Sequence, residues 1–137
     1  MTPPRVSAKL SVEANPSGVL ATLTFTNASA SAVLIERYNV AMESPLQADI
    51  FQIASGRGGV VRYRGMMVKR GRASQSDYVR LEPRTPLRTP PLDLSAAYEF
   101  PSGRRTYTAE YLARVTYPDR DGYWTLKSNT VKFTYGK

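Results

Sequence analysis

A chain of 137 residues with neither histidine nor cysteine lacks most of the side chains that enzymes use. It cannot build a Ser-His triad, a Cys-His dyad or a zinc site of the usual kinds, and it has no disulfide framework. Chemistry by paired carboxylates stays formally open. The eleven acidic residues, however, stand singly except for Asp119 and Asp121. Those two lie in PDRDG, whose composition is that of a tight turn. As a D-x-D-G match it lacks the further oxygen ligands and the closing glutamate of a calcium loop. The glycines around Arg57 (Gly56, Gly58, Gly59) are too few, and in the wrong context, for a phosphate-binding loop. The expectation is a non-enzymatic chain with no catalytic residue, no metal and no cofactor.

What the chain does have is positive charge, with a net +8. Between Arg57 and Arg105 eleven basic residues face only Asp77, Glu82, Asp93 and Glu99, so this middle part carries seven of the eight excess charges. Such a segment attracts acidic surfaces or polyanions in a salt-dependent way. Its centre is YRGMMVKRG, Tyr63 to Gly71. Arg62, Arg64, Lys69, Arg70 and Arg72 are the candidate partner-binding residues. Two readings stand side by side. In one, Lys69-Arg70 is a displayed tip that fills an acidic specificity pocket. In the other, Tyr63, Met66 and Val68 face the core, the basic residues face water, and Lys69-Arg70 pairs with Asp77. Nucleic acid is disfavoured: Tyr63, Tyr78, Tyr98 and Tyr107 interleave with cations, but no RNP-like sequence, helix-turn-helix pattern or zinc module is present.

The elements that must position these residues are strands. Nine tyrosines and ten prolines, with 42% hydrophobic residues, favour strands and punctuated loops in one domain over residues 1–137. Residues 1–7 are expected to form a flexible arm. AKLSVEA and VLATLTFTN alternate with period two around the turn Asn15–Gly18 and place Val19, Ala21, Leu23 and Phe25 on one face. A third strand forms around Val33 and Ile35. Ile50–Tyr63 reads as a hairpin, Val79 and Leu81 mark a short strand, and LDLSAAYEF holds a single helical turn capped by Ser95. TYTAEYLARVTY puts Tyr107, Ala109, Tyr111, Ala113 and Val115 on one face, and YWTLKSNTVKFTY supplies the last strand or pair of strands. Pro83–Pro91 reads as a crossover or an edge, where proline blunts further pairing. The sum is an all-β, immunoglobulin-like antiparallel β-sandwich of seven to nine strands. Trp124 has no flanking cysteines, so it is not an antibody-type domain. No stretch is long and apolar enough to span a bilayer.

YRGMMVKRG, SDYVRLEP and LDLSAAYEFPSGRRTYTAEY, in that order, resemble the amino-terminal, non-catalytic domain of secreted zinc endopeptidases of the deuterolysin/peptidyl-Lys (aspzincin) family. LSVEANPSGVLATLTFTNASASAVLI is similar to that domain's opening, with two strands flanking an N-x-S turn. The likeness covers roughly residues 8–135. It implies an immunoglobulin-like sandwich with a place in a protease system, as pro-segment, inhibitor, chaperone or accessory domain, and a secreted or periplasmic location. No signal peptide is visible, which leaves both a cytosolic chain and a removed leader open. The family's H-E-x-x-H zinc motif has no counterpart here. The position after Leu81-Glu82-Pro83, often glycine in the family, is Arg84. The function expected is therefore a protein-binding domain with a protein partner, such as a peptidase. The alternative is a surface adhesion or polyanion/carbohydrate-binding module that uses the basic middle segment.

Overall fold

The computed structural model describes residues 3–42, 46–56, 58–65 and 77–136. Its first unit is the hairpin of β1 (Val6–Asn15) and β2 (Gly18–Asn27), paired from Val6↔Asn27 to Asn15↔Gly18. Pro16 and Ser17 alone make the turn, and the Asn15 side-chain oxygen accepts from the Ser17 amide at 2.9 Å. β1 thus starts at Val6, two residues inside the stretch expected to be an arm. On β2 the alternation reads as expected: Val19, Ala21, Leu23 and Phe25 are all buried.

β3 (Val33–Glu36) pairs with β6 (Tyr78–Leu81) as a separate two-stranded sheet. β4 (Phe51–Ser55) starts the anticipated hairpin: Gly59 returns to Ser55 and Val61 to Ile53. The chain then leaves it. Arg62 and Tyr63 form β5, which pairs with β9 (Tyr98–Glu99) instead. The hairpin expected over Ile50–Tyr63 is therefore correct only as far as Val61.

The proline-rich stretch is an edge. β7 (Leu87–Arg88) and β8 (Leu92–Asp93) both pair with β2. Between them Thr89 exchanges bonds with Leu23, its amide donating to the carbonyl at 2.9 Å and its hydroxyl accepting from the amide at 3.0 Å. Pro86, Pro90 and Pro91 have no N–H to offer beyond this ribbon, so nothing further can add to it through them. The helical turn α1 (Leu94–Ala97) follows directly. Its cap is Asp93, not Ser95. One Asp93 oxygen accepts from the Ser95 amide at 3.0 Å, the Ser95 hydroxyl at 2.6 Å and the Val19 amide at 3.3 Å. The turn begins at Leu94, so the residue two ahead of the Ser95 amide is Asp93. Its carboxylate satisfies that orphan donor, which Ser95, already inside the turn, cannot do for itself, and it also ties the turn to β2.

β10 (Arg105–Thr116) and β11 (Tyr123–Tyr135) are the longest strands, joined through a turn in which the Tyr117 amide donates to the Gly122 carbonyl at 3.2 Å. YWTLKSNTVKFTY is thus one strand. A bulge interrupts the pair between Glu110 and Leu112. There the Tyr111 amide donates to the Ser128 hydroxyl at 2.9 Å, and the Asn129 side chain bonds both the amide and the carbonyl of Leu10. Two side chains in succession stand in for the missing ladder and satisfy the Tyr111 amide and both main-chain groups of Leu10.

The main sheet runs β4-β10-β11-β1-β2-β7, with β8 continuing on β2. Its β1–β11 pair is parallel, a departure from the all-antiparallel expectation. Phe25 on β2 and Tyr111 on β10 lie three strand spacings apart, roughly 14 Å in a flat sheet. Their rings meet edge-to-face at 5.5 Å. The sheet therefore curls until its own faces pack together, as native twist permits. The all-β, sandwich-like class read from the sequence is the one observed, with eleven strands among the described residues, four of them only two residues long. Each large side chain enclosed in this way contributes about 1.5–3 kcal/mol.

Asn27 joins the loops at one end. Fully buried, it donates to the carbonyls of Ser31 (3.0 Å) and Leu81 (2.9 Å), accepts from the Ser29 amide (2.8 Å), and offers its own carbonyl to Arg84. Arg84 itself sits at φ 61°, in the left-handed region. That conformation costs a residue with a Cβ about 1–2 kcal/mol, part of which glycine's freer unfolded state offsets. Arg84→Gly should raise stability by about 0.5–1 kcal/mol, whereas Arg88→Gly, within a strand, should lower it by a similar amount. Urea denaturation midpoints check both.

Candidate functional site

Of the five candidate residues, Arg62 and Arg64 lie among the described residues; Lys69, Arg70 and Arg72 lie outside them, as do Met66, Val68 and any pairing of Lys69-Arg70 with Asp77. Period-two alternation holds across Arg62-Tyr63-Arg64: the arginines are exposed and the tyrosine is half-buried. The Tyr63 hydroxyl donates to the Leu46 carbonyl at 3.0 Å, and its ring packs 5.2 Å from that of Tyr98. The Arg64 amide donates to Ala97 at 2.8 Å, and its guanidinium reaches the Ser95 carbonyl at 3.3 Å. Arg62 is the strand partner of Glu99, so its charge is locally offset.

The excess charge of the middle segment does not form one patch among the described residues. Arg80 pairs with Glu82, and Arg84 and Arg88 lie on the proline-rich edge. Outside the segment, Lys127 pairs with Glu110 at 3.5 Å, and Arg114 and Arg120 stack over Tyr123 and Tyr117. Exposed pairs of this kind are worth little. Cations do converge at one end of the sandwich. A hollow of about 330 Å³ is lined by Arg64, Ser95, Phe100, Pro101 and Tyr135. It adjoins a hollow of about 620 Å³ lined by Ser55, Arg104, Arg105, Thr106 and Thr134, and Ser102 and Gly103 line both. No carboxylate lines either one. Sequence reading missed Arg104, Arg105, Phe100 and Tyr135. The cross-strand partnership Arg105↔Tyr135 brings them together, and linear charge counting cannot see it.

A larger groove of about 880 Å³ follows β4, lined by Phe51, Ile53, Val60, Arg62, Asp49 and Glu110. Its charges are of both signs. Val60, 78% exposed, stands at its rim. Behind it, Tyr98 donates to Asp49 at 2.7 Å and accepts from the Phe51 amide at 3.0 Å, which closes the outer side of β4.

No group of His, Cys, Asp or Glu among the described residues is placed to hold a metal. Among the described residues the most enclosed carboxylate is Glu36, 1% exposed. Its Oε2 accepts from Tyr38 (3.0 Å), Asn39 (3.3 Å) and Thr116 (2.9 Å), while Oε1 has no partner. Sealed from solvent and from substrate, it anchors the 3₁₀ turn Arg37–Asn39 to the end of β10.

Burial pushes the hydroxyls of Tyr98 and Tyr111 far above the usual tyrosine range, helped by Asp49 and Glu36 respectively. Burial also raises Tyr63 and Tyr107, with Arg105 opposing the shift at Tyr107. All four keep their protons more tightly in the folded chain. Below about pH 10, the unfolded tyrosine value, both states are protonated and these groups leave stability independent of pH. Above it the unfolded chain releases protons that the folded chain retains, and stability falls. One fully retained proton gives a slope of about 1.4 kcal/mol per pH unit. Tyr111→Phe should lower stability at pH 7 yet flatten the alkaline decline by about one such slope. Denaturation curves from pH 7 to 11 check this, and an unchanged slope contradicts it.

Compared with known proteins, the chain matches no protein-family model and no curated protein.

Proposed function

We propose that this chain is a non-catalytic protein-binding domain associated with a peptidase, acting as a pro-segment-like inhibitor, chaperone or accessory domain. The observation that carries the reading is the carboxylate-free, arginine-bearing end of a chain without histidine or cysteine. Exposed Arg beside Tyr and Phe is the composition of energetically important contact sites. The peptidase as partner rests on the ordered resemblance to the aspzincin amino-terminal domain. Several of its segments have definite structural work: the N-x-S turn is the Asn27 junction, and D-L-S-x-A-Y is the Asp93-capped turn leading into β9. The position after Leu81-Glu82-Pro83 is left-handed, where glycine is favoured. On this reading Arg62, Arg64, Lys69, Arg70 and Arg72 are the partner-binding residues, in a secreted or periplasmic setting.

The test is direct. The purified domain is titrated into trypsin-like, Lys-specific and metallo-peptidases, with complex formation and inhibition measured at micromolar concentration. At least one should form a complex, weakened about tenfold or more by Arg64→Glu, a loss of about 1.4 kcal/mol. Absence of any complex or inhibition across the set overturns the proposal. Heparin binding that collapses when Arg62, Arg64, Lys69 and Arg70 become alanine, with no peptidase bound, would favour the polyanion-binding alternative instead.

A further inference from the structure

The adjoining hollows at the Arg64–Arg105 end differ in chemistry, and the difference specifies an occupant. The smaller is floored by Phe100, which packs edge-to-face on Tyr107 at 5.1 Å and on Tyr135 at 5.3 Å. The larger is floored by the facing hydroxyls of Thr106 and Thr134, 3.4 Å apart, with the Gly56 amide already committed to the Thr106 carbonyl. Among the described residues Arg104 and Arg105 form no ion pair.

The loop that carries these arginines is fixed. Gly103 and Gly136 have φ of +92° and +113°, and a Cβ on Gly136 would lie 2.2 Å from the Gly103 carbonyl oxygen. The loop therefore rests backbone-to-backbone on the end of β11, an approach only glycine permits. The backbone under Arg104 and Arg105 therefore needs no ordering when a carboxylate arrives, and only the two side chains give up rotamer freedom.

We propose that this end binds an acidic peptide segment of a partner protein, with an aromatic or aliphatic side chain in the smaller hollow and carboxylates on Arg104 and Arg105. The inference rests on the protein-binding reading above and names the chemistry of the segment bound. Guanidinium and carboxylate match as two-pronged donor and acceptor, and the aromatic hollow removes one apolar side chain from water. A single-stranded nucleic acid needs a succession of open ring faces for its bases. Here the rings lean on one another at 73° and 89°, which makes a recess and not a platform.

The probe is a short fluorescent peptide of glutamate and aspartate residues followed by phenylalanine, measured by anisotropy. It should bind at micromolar concentration and weaken about tenfold or more in each of three comparisons: with amides replacing its carboxylates, with alanine replacing its phenylalanine, and against the Arg104→Gln/Arg105→Gln variant. Both arginines are exposed, and the Arg84→Gln/Arg88→Gln variant, at the opposite sheet edge, serves as the charge-matched control with unchanged binding. Equal binding of the amide peptide, or wild-type binding by the double variant, overturns the proposal. So does tighter competition by a heparin oligosaccharide or oligodeoxythymidylate of equal charge. Failure of every peptidase to bind while the peptide binds removes the peptidase partner and leaves this site standing. A peptidase complex unaffected by the double variant does the reverse.

Discussion

The structure turns on Tyr111. Its amide sits at the bulge of β10 and is satisfied by Ser128, while its ring meets Phe25 and Phe51 edge-to-face at 5.5 and 6.0 Å. Its hydroxyl donates to the Asn39 carbonyl. One residue thus joins β2, β4, β10, β11 and the 3₁₀ turn. A single sheet has no sandwich core until it curls, and the curl here closes on this ring. The local extra twist of a bulge falls where the bend is needed. Burial of the hydroxyl is tolerable only because an acceptor lies within reach.

Both outer edges of the sheet are closed by the chain itself, by different means. At β4 the return from Gly59 to Val61 pairs one half, and the Tyr98 hydroxyl takes the Phe51 amide in the other. At β2 short strands and prolines cover the ladder, with Thr89 bonding where β7 gives way to β8. Neither edge resembles a template for adding a partner strand. Of the two surfaces compared above, the groove beside β4 carries charges of both signs and the arginine-bearing end carries one.

Local patterns in the sequence translated well. The alternation in TYTAEYLARVTY places Tyr107, Ala109, Tyr111, Ala113 and Val115 inside, because a half-buried strand shows the same period in sequence and in space. The Asn15–Gly18 turn is equally local. What escaped was non-local or depended on where an element begins. No feature of Leu10 or Asn129 announces that β1 and β11 run parallel, since their contact spans 119 positions. Asp93 and not Ser95 caps the helical turn because the turn starts at Leu94, a boundary that residue type alone does not decide. The cationic end joins Arg64 to Arg104 and Arg105 across forty residues by way of α1 and β9, so a count along the chain spread its charge over a segment that three-dimensional pairing divides.

The Asn27 junction has one more consequence. Asn27-Ala28-Ser29 has the form of an acceptor triplet for N-linked sugar. In the folded chain the amide is fully enclosed, with both of its hydrogens given to Ser31 and Leu81. A glycan could be attached only before these bonds form, and it would then occupy the volume in which two loops meet. The triplet therefore records a hydrogen-bonding requirement of the fold, and folding itself removes the site from any modifying enzyme.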